Sequence, residues 1–162
     1  MNLAPTCSGE AFDMGSQRAW LLALSLFLVF ATPTAFATSK ANCAPIAGFS
    51  EFIADANGIV VGDMHGTTEA PKFLEALICN LITSGRPVVL ALEYPRNEQR
   101  YLDSFLGGAS ELAGARKSLL ASPFWARSMQ DGRTSAAMLE FLTSLRERIK
   151  TGDRIRVIAY DD

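Results

Sequence analysis

Hydrophobic and polar positions fall into two regimes along the chain. From Ala19 to Ala31 the residues form one apolar run behind a single Arg18, followed by Pro33 and the small-x-small triplet Ala35-Phe36-Ala37. A positive residue, a short apolar core, a helix breaker and small residues make the layout of a secretory signal peptide. The run is shorter than the roughly 20 apolar residues of a spanning helix and stops at a proline, which favours cleavage after Ala37 over a permanent anchor. Glu10 and Asp13 put negative charge where a signal carries positive, so Met14 makes the more conventional start. The sequence therefore predicts a signal peptide over residues 1–37, a lead-in over 38–57 and a domain over 58–162. The product is expected in the periplasm or outside the cell, with membrane contact only during export.

Beyond Phe49 the spacing changes to alternating strand-like and helix-like stretches. Gly58-Ile-Val-Val-Gly62 is a short apolar run between glycines and predicts a buried parallel strand. Phe73, Leu74, Leu77, Ile78, Leu81 and Ile82 then share one helical face over 71–84, with Pro71 suited to its first turn and Gly85 to its end. Pro87 to Glu93 predicts a second strand, 97–106 and 109–120 two helices with Gly107-Gly108 between them, and 122–125 a loop. Met138, Leu142, Leu145 and Ile149 predict a helix over 134–150, capped by Thr134 or Ser135, and Arg154 to Tyr160 a third strand. The fold class this implies is α/β, with parallel βαβ units joined by helical crossovers. Parallel sheets are normally covered on both faces, so a domain with three strands and nothing after the third reads as truncated there.

Composition narrows the function classes. Fifteen basic residues against seventeen acidic ones give a net charge of −2 with no basic stripe, which leaves nucleic-acid binding without electrostatic support. After removal of residues 1–37 two cysteines remain, Cys43 and Cys79. An oxidising compartment allows them to pair, and burial of Cys79 on the apolar face of its helix fits the pattern equally well.

Candidate chemistry lies where the strands end. In open parallel sheets ligands bind beyond the carboxyl ends of the strands. Here the first strand runs into Asp63-Met-His65-Gly66, the second ends in Glu93 and the third runs into Asp161-Asp162, so Asp63, His65, Glu93 and Asp161 are expected to face one pocket. His65 is the sole histidine, able to act as general base, metal ligand or haem contact. One histidine with several carboxylates suits a hard divalent metal better than zinc, with Asp63, His65 and Glu93 as the ligand set. A second polar cluster, Gln130-Asp-Gly-Arg-Thr-Ser135, offers Arg133 as a partner for an anionic group or cofactor and Asp131 as its ion pair. A capped helix start after an Asp-Gly turn explains that cluster as well. Phe124 and Trp125 are expected in the core. No serine-nucleophile elbow, Walker loop or dinucleotide fingerprint occurs.

Ile59-Val-Val-Gly-Asp-Met-His-Gly-Thr-Thr-Glu-Ala-Pro71 and Leu90-Ala-Leu-Glu-Tyr-Pro95 resemble the superfamily of erythromycin esterases, ChaN-like haem-binding uptake proteins and TraB/Tiki proteins. Phe124-Trp125 through Gln130-Asp-Gly-Arg-Thr-Ser-Ala-Ala-Met138 also resembles exported members of that group. The resemblance covers about Gly58 to Asp162, the front half of the family's domain. It implies that His65 stands for the family's essential histidine and Glu93 for its second-strand acid, while Asp63 replaces a usual glutamate and reaches one methylene less far. The activities it implies are divided among hydrolysis of a small-molecule ester or lactone, metal-dependent proteolysis and haem binding. Gly62-Asp-Met-His-Gly66 also resembles the opening motif of calcineurin-like metallophosphoesterases, whose later motifs are missing. An inactive truncated remnant is the remaining reading.

Overall fold

A computed structural model describes residues 42–162, so the expected signal peptide and its cleavage site lie outside the described residues. The chain opens with α1 (Phe49–Ala54) and α2 (Glu69–Thr83), then enters β1 (Val88–Pro95). A 3₁₀ turn at Arg96–Glu98 leads into α3 (Gln99–Gly107), α4 (Leu112–Leu120), α5 (Pro123–Ala126) and α6 (Ala136–Lys150), and the chain returns to the sheet as β2 (Ile155–Asp161). The strands pair in parallel from Val88 opposite Ile155 to Leu92 opposite Ala159, then slip so that Pro95 faces Asp161. The architecture is thus α/β, with a two-stranded parallel sheet among the described residues. No helix among them is long and apolar enough to cross a membrane.

Strand alternation decides where the core sits. Leu92 and Tyr94 of β1 and Val157 of β2 turn inward against Leu102 and Phe105 of α3, Leu119 of α4, and Phe141, Leu142 and Leu145 of α6, all buried. Burying such side chains contributes about 1.5–3 kcal/mol each. The opposite positions, Val89, Ala91 and Glu93, are exposed. One face of the sheet is therefore packed and the other is exposed among the described residues, in keeping with the expectation that the strands leave a face or edge uncovered.

The expected first strand is also corrected. Residues 58–62 run beside β1, with Ile59 and Val61 lining a cleft there, but form no ladder with it, and Val60 is fully exposed. A run of three apolar residues between two glycines offers few ladder bonds, and glycine loses more conformational entropy than any other residue when extended. The loop expected at 122–125 is instead the single-turn helix α5. Buried Glu98 holds it by accepting a hydrogen bond from the Phe124 N–H through Oε1 at 3.0 Å. The helix expected over 134–150 begins at Ala136, because Ser135 accepts the Met138 N–H at 3.3 Å and so caps it.

The lead-in is part of the packed structure. Cys43 and Cys79 form a disulfide with Cα atoms 5.6 Å apart, which ties the segment before α1 to the middle of α2. Ile53 of α1 is buried, and its carbonyl accepts a hydrogen bond from Arg86 Nη1 at 3.0 Å.

Candidate functional site

The site forms where β1 and β2 end side by side. Glu93 sits on the outer face of β1, one residue before inward-facing Tyr94, and Asp161 ends β2. Arg133 joins them. Its Nη1 donates to the Glu93 carbonyl oxygen at 2.8 Å and to Asp161 Oδ2 at 2.9 Å, and lies 3.4 Å from Glu93 Oε1. The other side of the guanidinium is taken by Asp131, whose Oδ2 accepts from Nε at 2.9 Å and lies 2.8 Å from Nη2. Asp131 Oδ1 accepts the Arg133 backbone N–H at 3.1 Å and Arg127 Nη2 at 2.5 Å. These bonds, with the Arg133 side chain first among them, hold the Asp131 carboxyl well below the usual carboxylate range. The same pairing, led by Asp131, raises Arg133 further.

Below this network is an aromatic floor. The Phe124 ring lies 4.2 Å from the Arg127 guanidinium carbon and 5.2 Å from that of Arg133. Tyr94 packs on Phe124 at 4.8 Å between centroids and donates its hydroxyl to the Arg133 carbonyl oxygen at 2.8 Å. Burial keeps that phenol protonated far beyond its ordinary range. Trp125 is buried in the core as expected.

His65 arrives on a tight turn closed by the Thr67 N–H to the Met64 carbonyl at 3.2 Å. Its Nε2 lies 3.6 Å from Glu93 Oε2, with the imidazole 30% and the carboxylate 49% exposed. That separation exceeds a direct hydrogen bond and falls within ion-pair range once the ring is protonated. Gly66, with φ 86°, backs onto Gly132, with φ 91°. A Cβ on Gly132 would come within 2.5 Å of the Gly66 nitrogen and 2.6 Å of the His65 carbonyl carbon. The backbone of the histidine turn thus seats directly on the turn that carries Arg133.

Asp63, His65, Glu93 and Arg133 line one cleft of about 340 Å³ whose lining is mixed polar and apolar, with Val61, Val89 and Leu92 among its apolar residues. That volume is at the small end of ligand sites. Asp161 reaches the cleft only through Arg133. Asp63, His65 and Glu93, the expected metal set, line this cleft together, and among the described residues no group of three or more Asp, Glu, His or Cys side chains is drawn close enough to hold a metal ion. The Arg133 guanidinium stands between the strand-end carboxylates of Glu93 and Asp161. Arg133, expected as a partner for an anionic group or cofactor, also lines the cleft and pairs there with the carboxylates of Glu93, Asp131 and Asp161.

Two participants were not anticipated from sequence. Tyr94 was legible in principle, since alternation turns the neighbour of an outward Glu93 inward, where a phenol needs an acceptor. The Gly66–Gly132 contact had no sequence signal beyond two glycines far apart in the chain. Comparison of the chain with family models, with curated proteins and with solved structures found no match in any of the three.

Proposed function

We propose that this protein is an exported hydrolase of a small ester or lactone, similar to the erythromycin-esterase, ChaN-like and Tiki superfamily. The observation that carries this reading is the His65–Glu93 pair at 3.6 Å lining a cleft of mixed polar and apolar character. His65 removes a proton from water as the water oxygen attacks the substrate carbonyl carbon. Glu93 stabilises the imidazolium so formed, and the proton then passes to the departing alkoxide oxygen. The Cys43–Cys79 disulfide supports an oxidising compartment, in keeping with export. The bare outer face of β1 supports a sheet completed by further parallel βαβ units.

The test is turnover of a panel of p-nitrophenyl esters and aryl lactones by the purified protein and by His65→Ala. Loss of a general base is expected to lower the rate by roughly 10²–10⁴-fold. Equal turnover by the variant would remove His65 from the mechanism, and none by the parent protein would fit an inactive remnant. A metallophosphoesterase reading needs Asp63 and His65 in a shared metal site, and the donor geometry gives it no support.

Haem capture is the second reading, favoured by an imidazole beside the apolar wall of Val61, Val89 and Tyr160. His65 would ligate the iron while that wall covers the porphyrin. Titrating haem into the protein is then expected to shift the Soret band, and an unshifted band would count against it.

A further inference from the structure

We infer that the Asp131-Gly132-Arg133 turn is the positioning device of the His65 site: it seats the histidine turn by backbone contact and aims Glu93 at the imidazole through Arg133. The inference rests on the reading of His65 and Glu93 as the reacting pair. It adds a role for a segment that a capped helix start leaves only partly explained. Two independent contacts carry it.

The first contact is backbone on backbone. Gly132 has a positive φ of 91°, and a Cβ there would lie 2.5–2.8 Å from Gly66 and His65 main-chain atoms. Main-chain atoms cannot move aside as the tip of a flexible side chain can, so only glycine permits this approach. The position of the His65 turn is thereby set by the Arg133 turn, which is itself held by the Tyr94 hydroxyl on the Arg133 carbonyl.

The second contact is the guanidinium fork. Arg133 Nη1 touches both the main chain and the side chain of Glu93 and also Asp161, while Asp131 fixes its other edge. Glu93 Oε1 faces Arg133 and Oε2 faces His65, so the carboxylate is oriented by one partner toward the other. Nη1 serves Glu93 and Asp161 while Nε and Nη2 serve Asp131, a division among fixed nitrogens that the single ammonium of a lysine does not reproduce. Arg133 is therefore a positioning residue, acting on the histidine through Glu93 and the shared turn.

The test uses the sole histidine as its own reporter and needs no substrate. Long-range ¹H–¹⁵N spectra of the intact protein show one imidazole. Glu93→Gln sets the displacement that marks loss of the carboxylate. If the turn positions the pair, Gly132→Ala and Arg133→Lys shift the imidazole signals in the same direction. Adding Glu93→Gln to either one then shifts them by less than half of what it does alone. If the turn is merely structural, the single variants leave the signals in place and the shift from Glu93→Gln is undiminished, which overturns the proposal. Arg133→Lys keeps charge and backbone, so the cycle stands even where Gly132→Ala fails to fold. An absence of ester turnover would sink the hydrolase reading while leaving this coupling intact. An imidazole indifferent to Glu93→Gln would sink both.

Discussion

Asp131 sits between two guanidiniums and a backbone N–H, and its pH behaviour follows from that position. Its folded-state value lies below the 3.8 of a free carboxyl, chiefly through the Arg133 side chain. A depressed value contributes stability that is fully present above the unfolded value and is lost as pH falls through the folded one. The carboxylate is 39% exposed, so water screens the pair and about 1 kcal/mol is a reasonable contribution. Asp131→Asn is expected to lower stability by about that much near pH 7. The gap between variant and parent narrows progressively below about pH 4, where the unfolded carboxyl takes up its proton. Urea titrations at pH 7 and pH 3 read this directly, and a gap that widens in acid would contradict it. At this scale the sequence showed Asp63, His65, Glu93 and Arg133 at the strand ends and before α6, because chemistry-bearing types at those places are visible without coordinates. How Arg133 divides its donors among three acids was not visible, since that depends on distances across the sheet.

Elements that bury one regular face were legible to within about three residues: α2, α3, α4 and α6, and both strands. Each has an apolar stripe of one period and a recognisable end, such as Ser135 capping α6. What failed is the element whose evidence was apolarity alone, residues 58–62. The disulfide stood undecided in sequence because pairing needs a Cα separation, and the fold supplies 5.6 Å. It closes a span of 36 residues between the lead-in and α2. Restricting an unfolded loop of that size contributes about 4 kcal/mol in the chain-entropy account. The double variant Cys43→Ser, Cys79→Ser is thus expected to lose up to that amount in chemical denaturation, with little change in the far-ultraviolet spectrum. A loss below about 1 kcal/mol would mean that the lead-in is held by Ile53 and Arg86 without the covalent tie.

For the molecule as a whole, the informative feature is a sheet covered on one side, with the His65 turn delivered beside β1 by a segment that is not a strand. The α3–α4–α6 side holds the core, so Leu142→Ala there is expected to cost about 2–5 kcal/mol by leaving a cavity. The His65 side makes a different demand. Ile59 and Val61 face the cleft while Val60 stands fully in solvent. In a three-stranded sheet with both faces covered, an aspartate at position 60 would bury an unpaired carboxylate and cost several kcal/mol. In the observed arrangement Val60→Asp changes stability by less than about 0.5 kcal/mol, since the side chain meets only water. Thermal unfolding of Val60→Asp beside Leu142→Ala separates the two architectures, because the second variant shows that the assay registers core damage. A large loss at position 60 would place residues 58–62 in a covered sheet and move the histidine turn, with the cleft beside it, into a more enclosed site.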